Sequence, residues 1–177
     1  MTTAFLFDLD GTLVDSVYQH VRAWHLALRD EGIDLSVWRI HRKIGMSGGL
    51  FTDQLLRELG REVDAETISR LRGRHSERYL SISSEVVPLP GSIELLKSLE
   101  TLGLPWAIAT SGRMVTAEAN IRSLGLSTDD ITLVTRDQVN YAKPDPDLFV
   151  EAARRLGTTT QGSDVIGESI WDMLAGA

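Results

Sequence analysis

Four short apolar runs, each bounded by glycine, proline or polar residues, predict β-strands buried on both faces. They cover residues 4–7, 106–109, 131–134 and 165–166. A helical pattern precedes each of the last three runs, at 92–102, 115–124 and 146–156. Each pattern is followed by a glycine, which is typical of a helix end. Strands that alternate with helices at this spacing predict right-handed βαβ units and a parallel sheet.

Residues 16–82 interrupt this alternation. Val17, Val21, Trp24 and Leu28 recur at the spacing of one helix face, and further helical patterns cover 36–44, 49–59 and 65–80. The prediction is an α/β fold with a Rossmann-like parallel-sheet core formed by residues 1–15 and 83–177. An all-helical cap domain of residues 16–82 is inserted into it, directly after a loop that contains two aspartates.

Polar residues follow the predicted strands at the ends where a parallel sheet binds its ligands. They are Asp8 and Asp10 after the first strand, Thr110 and Ser111 after the second, Lys143 after the third, and Glu168 and Asp172 after the fourth. Carboxylates suit a hard cation with oxygen ligands, while hydroxyl groups and a lysine suit a phosphate group. The pattern therefore predicts one crevice that binds both a cation and a phosphate.

At these residues the chain resembles the haloacid dehalogenase superfamily, over residues 5–174. Four motifs carry the resemblance, in the expected order: DLDGTLVDS at 8–16, IATSG at 108–112, KPDPDLF at 143–149 and GESIWD at 167–172. The position of the helical insertion and the string YQHVRAW at 18–24 look like the branch that contains phosphoglycolate phosphatase and β-phosphoglucomutase.

The resemblance implies an enzyme, a Mg²⁺-dependent phosphatase that hydrolyses a small phosphorylated metabolite through a phosphoaspartyl intermediate. Asp8 would be the nucleophile, and Asp10 would be the general acid and base. Mg²⁺ would be bound by Asp8, by Asp10 through its backbone carbonyl, and by Glu168 and Asp172.

The resemblance also implies a set of phosphate-binding and substrate-binding residues: Thr110, Ser111, Gly112, Lys143, His20, Gly45 and Met46. Several of these residues have a second interpretation. Thr110 and Ser111 could cap the helix that follows. His20 could simply pack in the helical domain, and the loop at 44–49 could be an ordinary glycine turn between helices.

The sequence departs from the family in two places, and both keep other functions open. Glu168 stands where the family has an aspartate, so its longer side chain is expected to displace the cation or to reach it through water. The chain reaches Ala177 before the family's fifth strand and closing helix, so the last strands of the core are expected to be missing. A catalytically impaired protein of this fold is therefore one alternative.

A sugar-phosphate mutase similar to β-phosphoglucomutase is the other alternative. In the mutase branch an arginine of the cap loop binds a second phosphate, and the matching residue here is Gly48, which favours hydrolysis. A signalling receiver domain also combines acids, a hydroxyl and a lysine, but it has no helical insertion after the first strand.

Composition restricts the partners. With 18 basic against 25 acidic residues, the net charge of −7 provides no electrostatic footprint for nucleic acid or an anionic membrane. The absence of cysteine excludes a disulfide framework and a thiolate nucleophile, and it is compatible with a reducing compartment. The first residues do not resemble a signal peptide, and we expect a soluble, cytoplasmic protein.

Overall fold

The computed structural model describes residues 3–58, 60 and 64–177. Its strands are β1 (Ala4–Phe7), β2 (Val14–Asp15), β3 (Val87–Pro88), β4 (Trp106–Ala109), β5 (Leu133–Val134) and β6 (Ser163–Ile166). Four of them form a parallel sheet in the order β5-β4-β1-β6. The four predicted strands therefore lie in one parallel sheet, although the run at 131–134 forms a strand only over its last two residues.

The helices are α1 (Val17–Asp30), α2 (Val37–His41), α3 (Gly48–Glu58), α4 (Ala65–Leu80), α5 (Ser92–Thr101), α6 (Met114–Ser123), α7 (Asp147–Arg155) and α8 (Ile170–Ala175). Helices α1 to α4 lie between β2 and β3 in the chain, and we call them the helical segment. The predicted α/β fold with a helical insertion is confirmed. Helix α2 is shorter than predicted, because residues 43 and 44 bond to carbonyls three residues back and continue as turns. Leu59, at the end of the predicted third helix, lies outside the described residues.

Both faces of the sheet are covered, which explains why its strands are continuously apolar. Leu6 is buried in one cluster together with Leu148 and Phe149 of α7. Phe7 is buried in another, with Leu96 of α5 and Ile121 of α6. Each such side chain contributes about 1.5–3 kcal/mol when fully buried.

The helical segment has an apolar cluster of its own, in which Val21, Trp24 and Leu28 of α1 pack with Leu71 of α4. Trp171, at the start of α8, packs against this cluster from the sheet side. The backbone N–H of Ser47 also donates to the Lys143 carbonyl at 3.1 Å. These contacts hold the helical segment against the end of the sheet where the predicted site lies.

Strands β2 and β3 form a separate antiparallel pair, with Val14 opposite Pro88 and Asp15 opposite Val87. The chain therefore leaves the sheet region and returns to it along two adjacent strands. Two residues are too few to show a strand pattern in the sequence. No helix in the described part of the chain is long and apolar enough to cross a membrane.

Candidate active site

The first aspartate of the site, Asp8, lies directly beyond β1, where its backbone N–H donates to the Ile166 carbonyl at 2.8 Å. The loop that follows turns at Gly11, which has a φ of +90°. A Cβ atom at that position would come within 2.8 Å of Val17 and 2.9 Å of Glu168. Glycine is therefore needed at this turn for both its backbone conformation and its size.

A buried lysine connects Asp8 to the last motif. Lys143 contacts the Asp8 carboxylate, and its Nζ lies 2.6 Å from Asp172 Oδ1. Lys143 and Asp172 are both fully buried. Asp172 is itself positioned by Ser169, whose hydroxyl and backbone N–H donate to Oδ2 at 2.5 and 3.0 Å. The lysine is thus held between two carboxylates inside the protein.

Acidic side chains outnumber basic ones around Asp8. Burial raises the pKa of Asp8 well above its usual value, Lys143 lowers it, and the neighbouring Asp172, Glu168 and Asp10 raise it again. The pKa of Lys143 is raised, because the two carboxylates outweigh the effect of burial on the ammonium group. Lys143 therefore stays protonated, but its single charge does not offset the surrounding acids.

The excess acids form a group that could bind a cation. Asp8, Glu168 and Asp172 each place one carboxylate oxygen so that the three atoms lie within 4.8 Å of one another. The hydroxyl of Thr12 donates to Glu168 Oε2 at 2.7 Å and fixes that side chain over the loop. An all-oxygen donor set of this kind fits a hard divalent cation such as Mg²⁺. The Asp10 carboxylate is outside this group, so a contribution of Asp10 through its backbone carbonyl stays a prediction.

Asp10 has a different environment, rich in hydrogen-bond donors. Its Oδ1 accepts from Ser16 Oγ at 2.7 Å, Asn120 Nδ2 at 2.7 Å and His20 Nε2 at 3.0 Å. Thr110 Oγ1 donates to Oδ2 at 3.3 Å. Burial alone would raise the pKa of Asp10, but the charge of His20 and the hydrogen bonds lower it to about 2. At neutral pH Asp10 is therefore a carboxylate in this state of the protein.

The donors to Asp10 are positioned in turn by aromatic residues of α4. His20 stacks on Tyr79 with ring centroids 3.9 Å apart, and its Nδ1 lies 3.1 Å from His75 Nε2. The Tyr79 hydroxyl donates to Asn120 Oδ1 at 2.7 Å, which leaves the amide nitrogen of Asn120 to donate to Asp10. Burial, and then the charge of His20, lower the pKa of His75 well below its usual value, so His75 is neutral.

A cavity of about 460 Å³ lies between the sheet and the helical segment. Eight of the predicted site residues line it: Asp8, Asp10, His20, Gly45, Met46, Thr110, Ser111 and Gly112. Ser111 Oγ is buried without a hydrogen-bond partner in the described structure, and the Gly112 N–H donates to Thr110 Oγ1 at 2.9 Å. Lys143 and Asp172 are buried in the interior instead. Lys143 contacts both Asp172 and Asp8, and Asp8 lines the cavity.

Comparison of the sequence with known proteins identifies the family. The model of the haloacid dehalogenase-like hydrolases matches residues 2–177. The chain belongs to this family. Hexitol phosphatase A of Escherichia coli (strain K12) is 34% identical to it, over 97% of this chain and 77% of that protein. Phosphoglycolate phosphatase of Caulobacter vibrioides is 29% identical, over 95% of this chain and 72% of that protein.

Solved structures of other proteins have the same fold. A hydrolase from Pseudomonas syringae is 50% identical and superposes with a TM-score of 0.97, covering 99% of this chain and 80% of that one. The β-phosphoglucomutase of Clostridium difficile has a TM-score of 0.88 at 23% identity, covering 99% of this chain and 80% of that one, and shows the fold alone. The predicted enzyme class, a phosphoric monoester hydrolase of the haloacid dehalogenase-like family, agrees with the family match and with the relatives named as phosphatases.

One alternative drawn from the sequence is wrong. The N–H of Met114 at the start of α6 donates to Asp137 Oδ2 at 2.9 Å, so Asp137 takes the capping role considered for Thr110 and Ser111. Asn120, Tyr79 and His75 are site residues that sequence reasoning missed. They lie on helices outside the four motifs, and polar side chains in amphipathic helices do not indicate which of them will be buried.

Proposed function

We propose that this haloacid dehalogenase-like protein is a Mg²⁺-dependent phosphatase that hydrolyses a small phosphorylated metabolite through a phosphoaspartyl intermediate on Asp8. The observation that carries the proposal is the pair of buried aspartates at one cavity, one beside a lysine and an acidic group, the other surrounded by hydrogen-bond donors. Relatives named as phosphatases support the reaction class.

Asp8 supplies the nucleophile. One of its carboxylate oxygens attacks phosphorus, the ester P–O bond breaks, and the phosphoryl group stays on Asp8 as a mixed anhydride. Lys143 contacts the same carboxylate and orients it toward the cavity. Mg²⁺, bound by Asp8, Glu168 and Asp172, would offset the charge repulsion between the carboxylate and the incoming phosphate.

Asp10 transfers the protons. It donates one to the leaving alcohol in the first step. In the second step it removes one from the water that attacks phosphorus, the anhydride P–O bond to Asp8 breaks, and inorganic phosphate leaves. Since its pKa is about 2 here, Asp10 is ionised at neutral pH, which is the form that accepts a proton in the second step. A phosphate dianion bound in the same cavity raises this pKa through repulsion between like charges, which favours the protonated form needed in the first step.

The loop after β4 binds the transferred phosphoryl group. Thr110 shapes this loop by accepting from the Gly112 N–H, and the unpaired Ser111 hydroxyl can donate to a phosphoryl oxygen. Lys143 contributes positive charge from behind Asp8. Residues 16–82 act as the cap domain and 1–15 with 83–177 as the catalytic core. In the cap, His20, Gly45 and Met46 contact the rest of the substrate.

The test uses p-nitrophenyl phosphate and sorbitol 6-phosphate as substrates, with inorganic phosphate measured as the product. Activity is expected with Mg²⁺, to disappear in EDTA, and to return when excess Mg²⁺ is added. Phosphate release that persists in EDTA would remove the metal from the proposal. Isomerisation of a sugar phosphate without phosphate release would identify a mutase instead.

The Glu168→Asp variant is expected to need more Mg²⁺. Glu168 places a carboxylate oxygen in the acidic group while it accepts from Thr12, which supports a well-placed ligand rather than a displaced one. A shorter side chain withdraws the carboxylate and loses this hydrogen bond. Hydrogen bonds to charged groups contribute about 1.5–3 kcal/mol, so half-maximal activity should require roughly tenfold more Mg²⁺.

A Thr12→Val variant is the matched control, since it removes the same hydrogen bond and leaves the glutamate in place. It should shift the magnesium titration in the same direction by a smaller factor. A Glu168→Asp enzyme saturated at lower Mg²⁺ than the parent would show that the glutamate is indeed a defect.

A further inference from the structure

Cationic side chains form part of the cavity wall, in a protein whose net charge is −7. They are Lys43, Arg72, Arg113 and Arg136. Lys43 pairs with Glu58 at 2.7 Å, and Arg113 pairs with Asp137 at 3.1 Å. Arg72 and Arg136 have no acidic partner within 4 Å among the described residues. Within the described part of the chain, Arg72 and Arg136 thus line the cavity without forming a direct ion pair, although the charge of Asp53 acts on Arg72.

Arg72 is held in this position by its surroundings. Its Nε is buried and has no hydrogen-bond partner in the described part of the chain. Its guanidinium lies against Gly49, where a Cβ atom would be 3.0 Å from Nη2, so the bare backbone of α3 makes room for it. A guanidinium stays charged even when it is partly buried, so an anionic group bound in the cavity would compensate the burial of the Arg72 charge.

Arg72 and Arg136 come from different parts of the fold. Arg72 lies on α4 of the helical segment, while Arg136 follows β5 of the sheet and donates to the Val139 carbonyl at 2.8 Å. Burial lowers the pKa of Arg72, the charge of Asp53 raises it, and the charges of Arg136 and Arg113 lower it. Both arginines line the same cavity, so an anion bound between them would offset the repulsion between their like charges.

We infer that Arg72 and Arg136 form a second anion site, so that the preferred substrate is a phosphate monoester with another anionic group remote from the transferred phosphoryl group. The inference rests on the proposed function and deepens it. The second group is a carboxylate or a further phosphate, since guanidinium groups bind both through paired N–H donors. A cavity of about 460 Å³ is within the usual size of small-molecule sites, which leaves room for a metabolite that carries both groups.

The test compares substrates that differ only at the remote end. The six-carbon series is sorbitol 6-phosphate, 6-phosphogluconate and sorbitol 1,6-bisphosphate, with neutral, carboxylate and phosphate ends. The three-carbon series is glycerol 3-phosphate, 3-phosphoglycerate and glycerol 1,3-bisphosphate. In at least one series, an anionic member should have a kcat/KM at least tenfold above the neutral member. Comparison of the carboxylate member with the bisphosphate member shows which of the two anionic groups the site binds.

Arg72→Gln and Arg136→Gln should each lower the ratio of kcat/KM between the anionic and the neutral member roughly 10- to 100-fold. This is the effect of one lost hydrogen bond to a charged group. Arg122→Gln is the matched control, since Arg122 is exposed and pairs with Glu118 on its own helix. It should leave the preference unchanged. A parent enzyme that prefers the neutral member in both series would overturn the inference. So would arginine variants that lose activity equally on all substrates, because the arginines would then bind the transferred phosphoryl group.

Direct binding separates this inference from the proposed function. Dissociation constants for the same substrates are measured by calorimetry on the Asp8→Asn variant, with and without Arg72→Gln. Tighter binding of an anionic member that is lost with Arg72→Gln supports the second anion site even if the parent hydrolyses nothing. Equal binding of all members overturns it even if the parent is an active phosphatase.

Discussion

The Asp8→Asn variant is expected to release no measurable phosphate from p-nitrophenyl phosphate. The amide has the same shape and still accepts from Lys143, but its oxygen is a poor nucleophile toward phosphorus. Removing the nucleophile of a hydrolase lowers kcat by about 10⁶-fold in the best-studied cases, and we expect a loss of on the order of 10⁴-fold or more. Initial rates at saturating Mg²⁺ measure it.

Asp164→Asn is the control for Asp8→Asn, because it makes the same chemical change at an exposed position of β6. It should retain the parent rate. Both variants should also keep the parent melting temperature within a few degrees, since neither leaves a buried charge without a partner. A folded Asp8→Asn enzyme with more than a tenth of the parent rate would contradict the phosphoaspartyl mechanism.

The Lys143→Met variant is expected to lose both stability and activity. Lys143 is the cation between the buried carboxylates of Asp8 and Asp172, and methionine leaves them without a counter-charge. Breaking a buried ion pair by removing one partner costs about 3–5 kcal/mol. Urea denaturation followed by circular dichroism at pH 7.5 measures the change in the free energy of unfolding.

The pH dependence of that loss tests its electrostatic cause. Burial already raises the pKa of Asp8 in the folded protein, and loss of Lys143 raises it further. An acid whose folded-state pKa is raised binds its proton more tightly in the folded state. It therefore stabilises the fold below its unfolded pKa, and this contribution is lost as pH rises through the folded pKa. The stability deficit of the variant should thus shrink as the pH is lowered from 7.5 to 5.

Lys97→Met is the control for Lys143→Met, since Lys97 is exposed on α5. It should change the free energy of unfolding by no more than about 0.5 kcal/mol. A deficit of Lys143→Met that is equally large at both pH values would point to lost packing rather than unpaired charge.

The parallel sheet and the motif residues could be predicted from the sequence because both depend on local pattern and on one rule of topology. Continuous apolar runs indicate strands covered on both faces, and Leu6 and Phe7 are indeed buried on opposite sides of the sheet. Parallel strands end at the same edge, so Asp8 and Thr110 were expected near each other without knowledge of any distance.

Only the tertiary structure decided which side chains surround each aspartate. Asn120 bonds to Asp10 from 110 positions away, and Tyr79 orients Asn120 from another helix. The sequence also does not indicate that the Thr12 hydroxyl donates to Glu168, a carboxylate of the acidic group. Nothing in the sequence singles out Arg72 and Arg136, which two separate parts of the fold place on one cavity. Periodicity records which face of an element is buried, whereas contacts between elements depend on how those faces meet in space.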